Sequence, residues 1–164
     1  MNIITERIHW RPRWTIRRYA DDEAYRAGRA YDESVIEGNL LLSEGIGEML
    51  DLLAGLGSPT AYSNANAYIG VGDSTTAAAA GQTSLQATTN KAYAAMADGY
   101  PSRSGTTITW RAVFGSGAAE FDWREFTVIN GPTDSAINLN RVVSSQGTKG
   151  AGQTWTVDLQ VTIS

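Results

Sequence analysis

The stretch Thr154–Ile163 reads TWTVDLQVTI, and its apolar residues occupy every second position. One face of an extended chain would carry Trp155, Val157, Leu159, Val161 and Ile163. Threonine, aspartate and glutamine lie on the opposite face, which is the pattern of a strand that buries one side. Such strands are typical of antiparallel sheets that pack face to face, so this stretch predicts a β-rich fold.

Other short runs of β-branched and aromatic residues, bounded by turn residues, predict further strands. They are Arg13–Tyr19, Ser34–Glu37, Ala67–Gly72, Thr106–Phe114, Asp122–Ile129 and Leu139–Ser145. Because no regular helices separate them, we expect a mainly β protein, an antiparallel β-sandwich of jelly-roll-like type. Residues 73–86 form a long polar loop that we expect to serve as a contact surface, and residues 87–97 leave room for one further strand.

One helix is predicted at about residues 42–54. Asn39 or Ser43 can cap its start, and Gly55 and Gly57 end it. Its apolar residues recur at helical spacing, so we expect them to pack on the sheet. The predicted core contains Leu42, Ile46, Met49, Leu50, Leu53, Trp110, Val128, Trp155, Val157, Leu159 and Val161.

Composition limits the classes of function. The 164 residues suit one domain plus an N-terminal arm, and the charged share of 18% is below the average of about 25%, which favours contact with other proteins. The chain has no cysteine and a single histidine, His9, so disulfides, thiolate nucleophiles and multi-histidine metal sites are excluded. We predict no cofactor and no metal. No apolar run is long enough to cross a membrane.

The charge is distributed unevenly along the chain. Seven basic and four acidic residues before Tyr31 give that segment a charge of +3, and six basic and thirteen acidic residues give the remainder −7. We therefore divide the chain into a basic N-terminal arm with the first strand at residues 1–33 and a sandwich domain at residues 34–164.

Arginine and tryptophan alternate in the arm, and both are common anchors of protein interfaces. The predicted partner-binding residues are Arg7, Trp10, Arg11, Arg13, Arg17 and Arg18. The same residue types could stack on single-stranded nucleic acid. However, the chain is acidic, with a pI of about 4.9, and Trp14 already fits a strand pattern, so protein contact is the favoured interpretation.

Three local patterns admit a chemical interpretation besides a structural one. Gly70-Val71-Gly72 resembles half of a nucleotide-binding loop, but the third glycine is missing. Glu120, Asp122 and Glu125 could form a glycosidase carboxylate pair, although alternation along a strand separates neighbouring side chains. Residues 21–23 offer oxygen ligands without the spacing of a calcium loop. The structural interpretation is favoured in each case.

The order of several longer segments resembles a known group of proteins. EGNLLLSEGIGEMLDLLAGLG at residues 37–57, NAYIGVGDSTTAA at 66–78, EFTVINGP at 125–132 and LNRVVSSQGTKGAGQTWTVDLQVTIS at 139–164 carry the resemblance, together with residues 82–116. They are similar to small virion proteins of tailed bacteriophages, which are used as capsid cement subunits or as tail-fibre and baseplate adaptors. The resemblance covers roughly residues 37–164.

The resemblance implies a non-enzymatic subunit of the phage particle, assembled in the host cytoplasm, that forms homo-oligomers and binds the major capsid protein or a tail protein. A capsid cement role is favoured because no fibre-forming extension follows Ser164, and a tail-fibre or baseplate adaptor is the alternative. A carbohydrate-binding module is a second alternative, since five tryptophans could line a sugar site. Their apolar strand positions favour a place in the core, and a hydrolase is less favoured still.

Overall fold

Two antiparallel five-stranded sheets pack face to face in a computed structural model, which describes residues 6–164. In spatial order, the first sheet contains β2 (Asp32–Glu37), β1 (Trp10–Tyr19), β10 (Thr154–Ile163), β7 (Thr107–Phe114) and β6 (Ser102–Ser104). The second sheet contains β3 (Leu40–Leu41), β9 (Asn140–Val143), β8 (Glu125–Ile129), β4 (Tyr68–Gly72) and β5 (Lys91–Ala95). The predicted β-sandwich is confirmed.

Strand β10 is the central strand of the first sheet, and its observed bounds are those predicted from its alternation. Every residue of β10 pairs with β1, from Trp10 opposite Ile163 to Tyr19 opposite Thr154. On its other side, residues 155–162 pair with β7. Because both edges of β10 are paired, its apolar residues from Trp155 to Val161 are held in the core, whereas Ile163 at its end is 40% exposed.

The core between the sheets is rich in aromatic side chains. Trp123 lies at its centre, with its ring centroid 4.8 Å from that of Phe114 and 4.8 Å from that of Trp155 in edge-on contacts. Seven members of the predicted core are buried, namely Leu42, Trp110, Val128, Trp155, Val157, Leu159 and Val161. The facing predicted for β10 is therefore confirmed from Trp155 to Val161, and the predicted burial of Trp110 in β7 is confirmed as well.

The described part of the predicted N-terminal arm, residues 6–33, is joined to the sandwich through β1, whereas residues 1–5 of that arm lie outside the described residues. Strand β1 lies between β2 and β10, and the pairing continues beyond it, since His9 and Ser164 exchange backbone hydrogen bonds of 2.7 and 3.2 Å. Trp14 and Ile16 are fully buried. Strands β1 and β2 belong to the same sheet as β10, and the predicted boundary after residue 33 falls within β2.

Helix α2 (Ser43–Ala54) matches the predicted helix closely, but two details of the prediction are wrong. Leu42 occupies the N-cap position, so neither Asn39 nor Ser43 caps the helix, whereas Gly55 ends it as expected with a φ of 65°. Its apolar side chains do not join the core. Ile46, Leu50 and Leu53 are 39%, 58% and 85% exposed, and Met49 is half-buried at the edge of the core.

The connection between β1 and β2 contains a short helix. Helix α1 (Asp22–Arg26) is capped by Asp21, whose side chain accepts a hydrogen bond of 2.7 Å from the backbone N–H of Ala24. The acidic run at residues 21–23 therefore starts a helix. Neither α1 nor α2 is long and apolar enough to span a membrane, and they are the helices of the described residues.

The facing of β10 can be tested with one substitution on each side of the strand. Leu159→Asp places a charge in the core, which we expect to lower the free energy of unfolding by more than about 4 kcal/mol and to prevent folding. Gln160→Asp changes the exposed face and should cost less than about 1 kcal/mol. Circular dichroism during urea titration measures both, and a cooperatively folding Leu159→Asp protein would contradict the assignment.

Candidate functional site

The outer face of the first sheet carries arginines at alternate positions of β1. Arg11, Arg13 and Arg17 point away from the core, since Pro12, Trp14 and Ile16 between them are buried. We call the outward side chains of Arg11, Arg13, Arg17 and Arg111, with Arg7 beyond the end of β1, the arginine face. It includes four of the six predicted partner-binding residues.

The middle of the arginine face is already neutralised within the chain. Asp158 of β10 accepts hydrogen bonds from Arg111 at 2.5 and 2.6 Å and from Arg17 at 3.1 Å. Arg17 also donates to Glu33 at 2.7 Å. The hydrogen bonds that Arg111 donates to the Asp158 carboxylate raise the pKa of Arg111 further above its usual range. Arg17 is therefore a structural cation that holds neighbouring strands together.

Arg18, also predicted to bind a partner, points to the other side of β1 and is buried. Its guanidinium donates to Asp32 at 3.0 Å and to the backbone carbonyl of Gln146 at 2.7 Å, and it stacks 4.7 Å from the ring centroid of Trp155. With 6% of its surface exposed, it cannot contact a partner without leaving the fold. Its observed role is to join β1 to β2 and to the loop before β10.

The remaining arginines lie open at one end of the face. Arg7, Arg11 and Arg13 are exposed, and Arg13 lies 3.5 Å from Glu37 in a pair whose members are 54% and 73% exposed. Such a pair contributes little to stability, so Arg13 can exchange partners at small cost. Within residues 6–164, no ion pair involves Arg7 or Arg11.

A second surface lies where α2 meets the ends of β1 and β10. A groove of about 430 Å³ separates the helix from these strands, and all its lining side chains are apolar. We call this lining the apolar surface, and it consists of Ile8, Trp10, Leu41, Ile46, Met49, Leu50, Leu53 and Ile163. Ile8 and Leu53 are the most open of these, with 80% and 85% of their surface exposed.

The side of α2 that faces the protein is polar, which explains why its apolar residues point outward. Glu44 accepts hydrogen bonds from the backbone and side chain of Asn138 at 2.7 and 3.2 Å. Glu48 accepts from the backbone N–H of Thr60 at 2.6 Å and from the side chain of Asn130 at 2.9 Å. Burial of the Glu44 carboxyl raises its pKa. The two carboxylates thus satisfy donors of the segments beside the helix.

Gly45 completes this inner side of α2. A Cβ atom at this position would lie 2.4 Å from the carbonyl oxygen of Leu139, so only glycine allows the helix to approach the segment before β9. Sequence periodicity correctly identifies the apolar stripe of the helix. It does not show that hydrogen bonds and a close backbone contact occupy the inner side instead.

The acidic cluster considered as a glycosidase pair is part of the fold. Glu125 is fully buried, and it accepts hydrogen bonds from Arg141 at 2.8 Å and from the backbone N–H groups of Gln86 and Ala87 at 2.9 and 2.7 Å. Its carboxylate anchors the loop after β4 to the outer face of the second sheet. Asp122 is partly exposed and pairs with Arg124 at 2.9 Å.

The glycines of the GVG pattern lie inside β4 rather than in a phosphate-binding loop. A Cβ atom at Gly70 would lie 2.6 Å from the ring of Tyr93, and one at Gly72 would lie 2.4 Å from the Glu125 carboxylate. Both positions require glycine because the Tyr93 ring of β5 and the Glu125 carboxylate occupy the space that a side chain would fill. Close packing within the sheet therefore accounts for both glycines of this pattern.

Four of the five tryptophans do not line a surface. Trp14, Trp110, Trp123 and Trp155 are at most 5% exposed, and Trp10 is half-buried in the apolar surface. The carbohydrate-binding alternative depended on tryptophans available to a sugar, and four of the five are in the core. Among residues 6–164, no group of three or more histidine, cysteine or acidic side chains is arranged to hold a metal ion.

No protein-family model, no curated protein and no solved structure matches this chain.

The structural role of Glu125 predicts the effect of removing its charge. Glu125→Gln leaves the buried Arg141 guanidinium without a counter-charge, so the free energy of unfolding should fall by about 3–5 kcal/mol. Asp122→Asn, which breaks a partly exposed pair, should cost about 1 kcal/mol or less. Denaturant titration of both variants checks this, and a Glu125→Gln protein as stable as the unchanged chain would disprove the anchoring role.

Proposed function

We propose that this chain is a non-enzymatic structural subunit of a tailed-bacteriophage particle, in the manner of a capsid cement protein, and that its function is to bind neighbouring virion proteins. The resemblance of residues 37–164 to small virion proteins supports the virion setting. The observation that carries the binding function is the apolar surface, because a helix with its apolar stripe turned outward is expected to be covered by another protein.

Covering the apolar surface with another protein is energetically favourable. Complete burial of a leucine or isoleucine side chain contributes about 1.5–3 kcal/mol, and this chain leaves several such side chains in water. Scattered exposed leucines are ordinary in soluble proteins, but here they line one continuous groove. A protein partner that covers the groove buries these side chains and so adds the hydrophobic free energy that folding of the single chain does not supply.

The arginine face supplies a second kind of contact. Arg7, Arg11 and Arg13 project from a chain whose formal net charge is −4, so they offer a local attraction for acidic groups of a virion protein. Arginine can pair with carboxylates in bidentate geometry while its stem covers apolar surface. In this proposal the arginines orient the subunit, and the apolar surface gives most of the affinity.

The first test concerns the apolar surface. Particles that lack this chain are mixed with purified protein, separated on a density gradient and analysed for bound protein by quantitative mass spectrometry. The unchanged chain should sediment with the particles. Leu53→Asp should reduce the bound amount at least about tenfold, since it introduces a charge that must be desolvated on binding.

Tyr31→Asp is the matched control, because Tyr31 is also exposed, at 55%, and lies outside the apolar surface. Its binding should equal that of the unchanged chain. Gold labelling of a tag on the bound protein shows whether it lies on the head, as a cement subunit requires, or on the tail. Failure of the unchanged chain to bind any particle would disprove the proposed function.

The second test concerns the arginine face. Arg11→Glu/Arg13→Glu should weaken particle binding about tenfold at low ionic strength and less at high ionic strength, because salt screens exposed charges. Arg26→Glu/Arg29→Glu makes the same change of charge at exposed positions outside the face and should have little effect. Equal binding of the two double variants at low salt would show that the arginine face does not orient the subunit.

A further inference from the structure

The apolar surface continues beyond the ends of β1 and β10. On the far side of Ile163 lies a second groove of about 340 Å³, which is lined by Ile163 together with Arg103, Thr106, Thr107 and Ile108. Ile163 also lines the groove beside α2, so the two grooves meet at this residue. We call the two grooves together the end trough. It runs from α2 across the ends of β1, β10 and β7 to β6.

The end trough is the open end of the hydrophobic core. Trp10 pairs with Ile163, and Ile108 pairs with Val161, so the side chains of each pair lie on the inward face of the first sheet. Trp10, Ile108 and Met49 are partly buried against the core, and Ile163 is 40% exposed. A body that fills the trough therefore extends the core of the sandwich.

The strand ends that border the trough already pair with one another. The backbone N–H of Ile163 donates to the carbonyl of Thr106 at 3.1 Å, and His9 and Ser164 exchange backbone hydrogen bonds. The Thr107 hydroxyl is hydrogen-bonded across to β10 at 2.8 Å. An extended peptide laid across these ends would exchange its hydrogen bonds with water for an apolar lining, whereas an α-helix satisfies its backbone internally. The trough therefore suits a helix better than a strand.

The dimensions of the trough also suit a short helix. Strand β6 lies three strand spacings from β1, which is about 14 Å, and three turns of α-helix cover about 16 Å. Leu50 and Leu53, which are 58% and 85% exposed, form a wall on the α2 side. A helix about 10 Å wide can contact this wall and the floor together, which a single acyl chain cannot do.

The charge that the trough presents is positive. Among the described residues that line the two grooves, Arg103 is the charged one. It is exposed, and its guanidinium donates to the backbone carbonyl of Gly105 at 2.6 Å. No ion pair within residues 6–164 includes Arg103. Its remaining N–H groups are therefore open to a carboxylate, which a guanidinium binds in charge-assisted hydrogen bonds.

We propose that the end trough binds an amphipathic helix of a partner protein, with the apolar stripe of that helix in the trough and an acidic residue at its end paired with Arg103. Insertion of an amphipathic helix into an apolar groove is a recurring mode of protein recognition. The inference rests on the proposed function, because it gives the chemistry of the virion protein that covers the apolar surface.

The test uses synthetic peptides with blocked ends and a fluorescein label. The Glu peptide has about 14 residues, with leucine at positions i, i+4, i+7 and i+11, alanine elsewhere and glutamates at both ends. The Lys peptide has lysine in place of each glutamate, and the Pro peptide is the Glu peptide with a central proline. Fluorescence anisotropy with the full chain should give a dissociation constant of about 10–100 μM for the Glu peptide and at least about tenfold weaker binding for the other two.

Reversal of one charge in the trough should reverse the preference between the peptides. Arg103→Glu should weaken binding of the Glu peptide about tenfold and strengthen binding of the Lys peptide by a similar factor. Arg26→Glu makes the same change at an exposed position outside the trough and should leave both constants unchanged. Leu53→Asp should remove binding of either peptide, because it places a charge on the wall of the trough.

Several results would overturn the inference. They are a Glu peptide that does not bind at about 1 mM, equal binding of the Glu and Lys peptides, binding of the Pro peptide as tight as that of the Glu peptide, and an Arg103→Glu chain that behaves like the unchanged one. Sedimentation of the chain with phosphatidylglycerol vesicles, lost in Leu53→Asp and without binding of any peptide, would assign the trough to a lipid surface instead.

The outcomes for the helix and for the virion function are separable. A chain that loses particle binding through Leu53→Asp but binds no Glu peptide uses the apolar surface for a partner of different chemistry, which overturns the inference and leaves the proposed function in place. A chain that binds the Glu peptide through Arg103 but binds no particle retains the inference and loses the proposed function.

Discussion

The pairing of β10 with both β1 and β7 is the constraint on which the rest of the structure depends. This triplet places Trp14, Trp110 and Leu159 on one inward face, and the second sheet packs against that face. A shift of β10 by one residue would turn its whole apolar face to the solvent and bury Asp158 away from Arg17 and Arg111. Apolar burial and ion pairing on opposite faces of the strand therefore select the same register.

The second sheet is stabilised differently, by polar groups that are buried on its outer side. Glu125 and Arg141 form an ion pair there, and Thr127, Asn138 and Asn140 add hydrogen bonds between side chains and backbone. The loop after β4 covers this network, and Leu85 of that loop is itself buried. Residues 82–87 of this region are thus part of the cover of the sheet, whereas residues 75–77 and 79–81 of the loop predicted as a contact surface are exposed.

Sequence patterns predicted the sandwich, β10 and the bounds of α2 because these depend on periodicity and local turn residues. They could not predict which side of α2 faces inward, since that depends on Asn130, Asn138 and the backbone of Leu139, all distant in sequence. Sequence patterns were equally unable to predict the surroundings of the individual arginines. Arg17 and Arg18 are adjacent and chemically identical, yet opposite sides of the strand give one a solvent-facing ion pair and the other a buried stack on Trp155. The short strands β3 and β6 are defined by their partners and have no pattern of their own.

The pairing of the first strand with the last has a consequence for how the protein is made. During synthesis, β1 emerges early but its neighbour β10 is more than 130 residues away, so this half of the first sheet cannot close until residues 154–163 have been translated. Until then, the apolar side of β1 and much of the facing sheet lack their cover. Contacts of such long range slow folding and extend the time in which a nascent chain is open to aggregation or to chaperones. Closure of this part of the first sheet therefore depends on the arrival of β10.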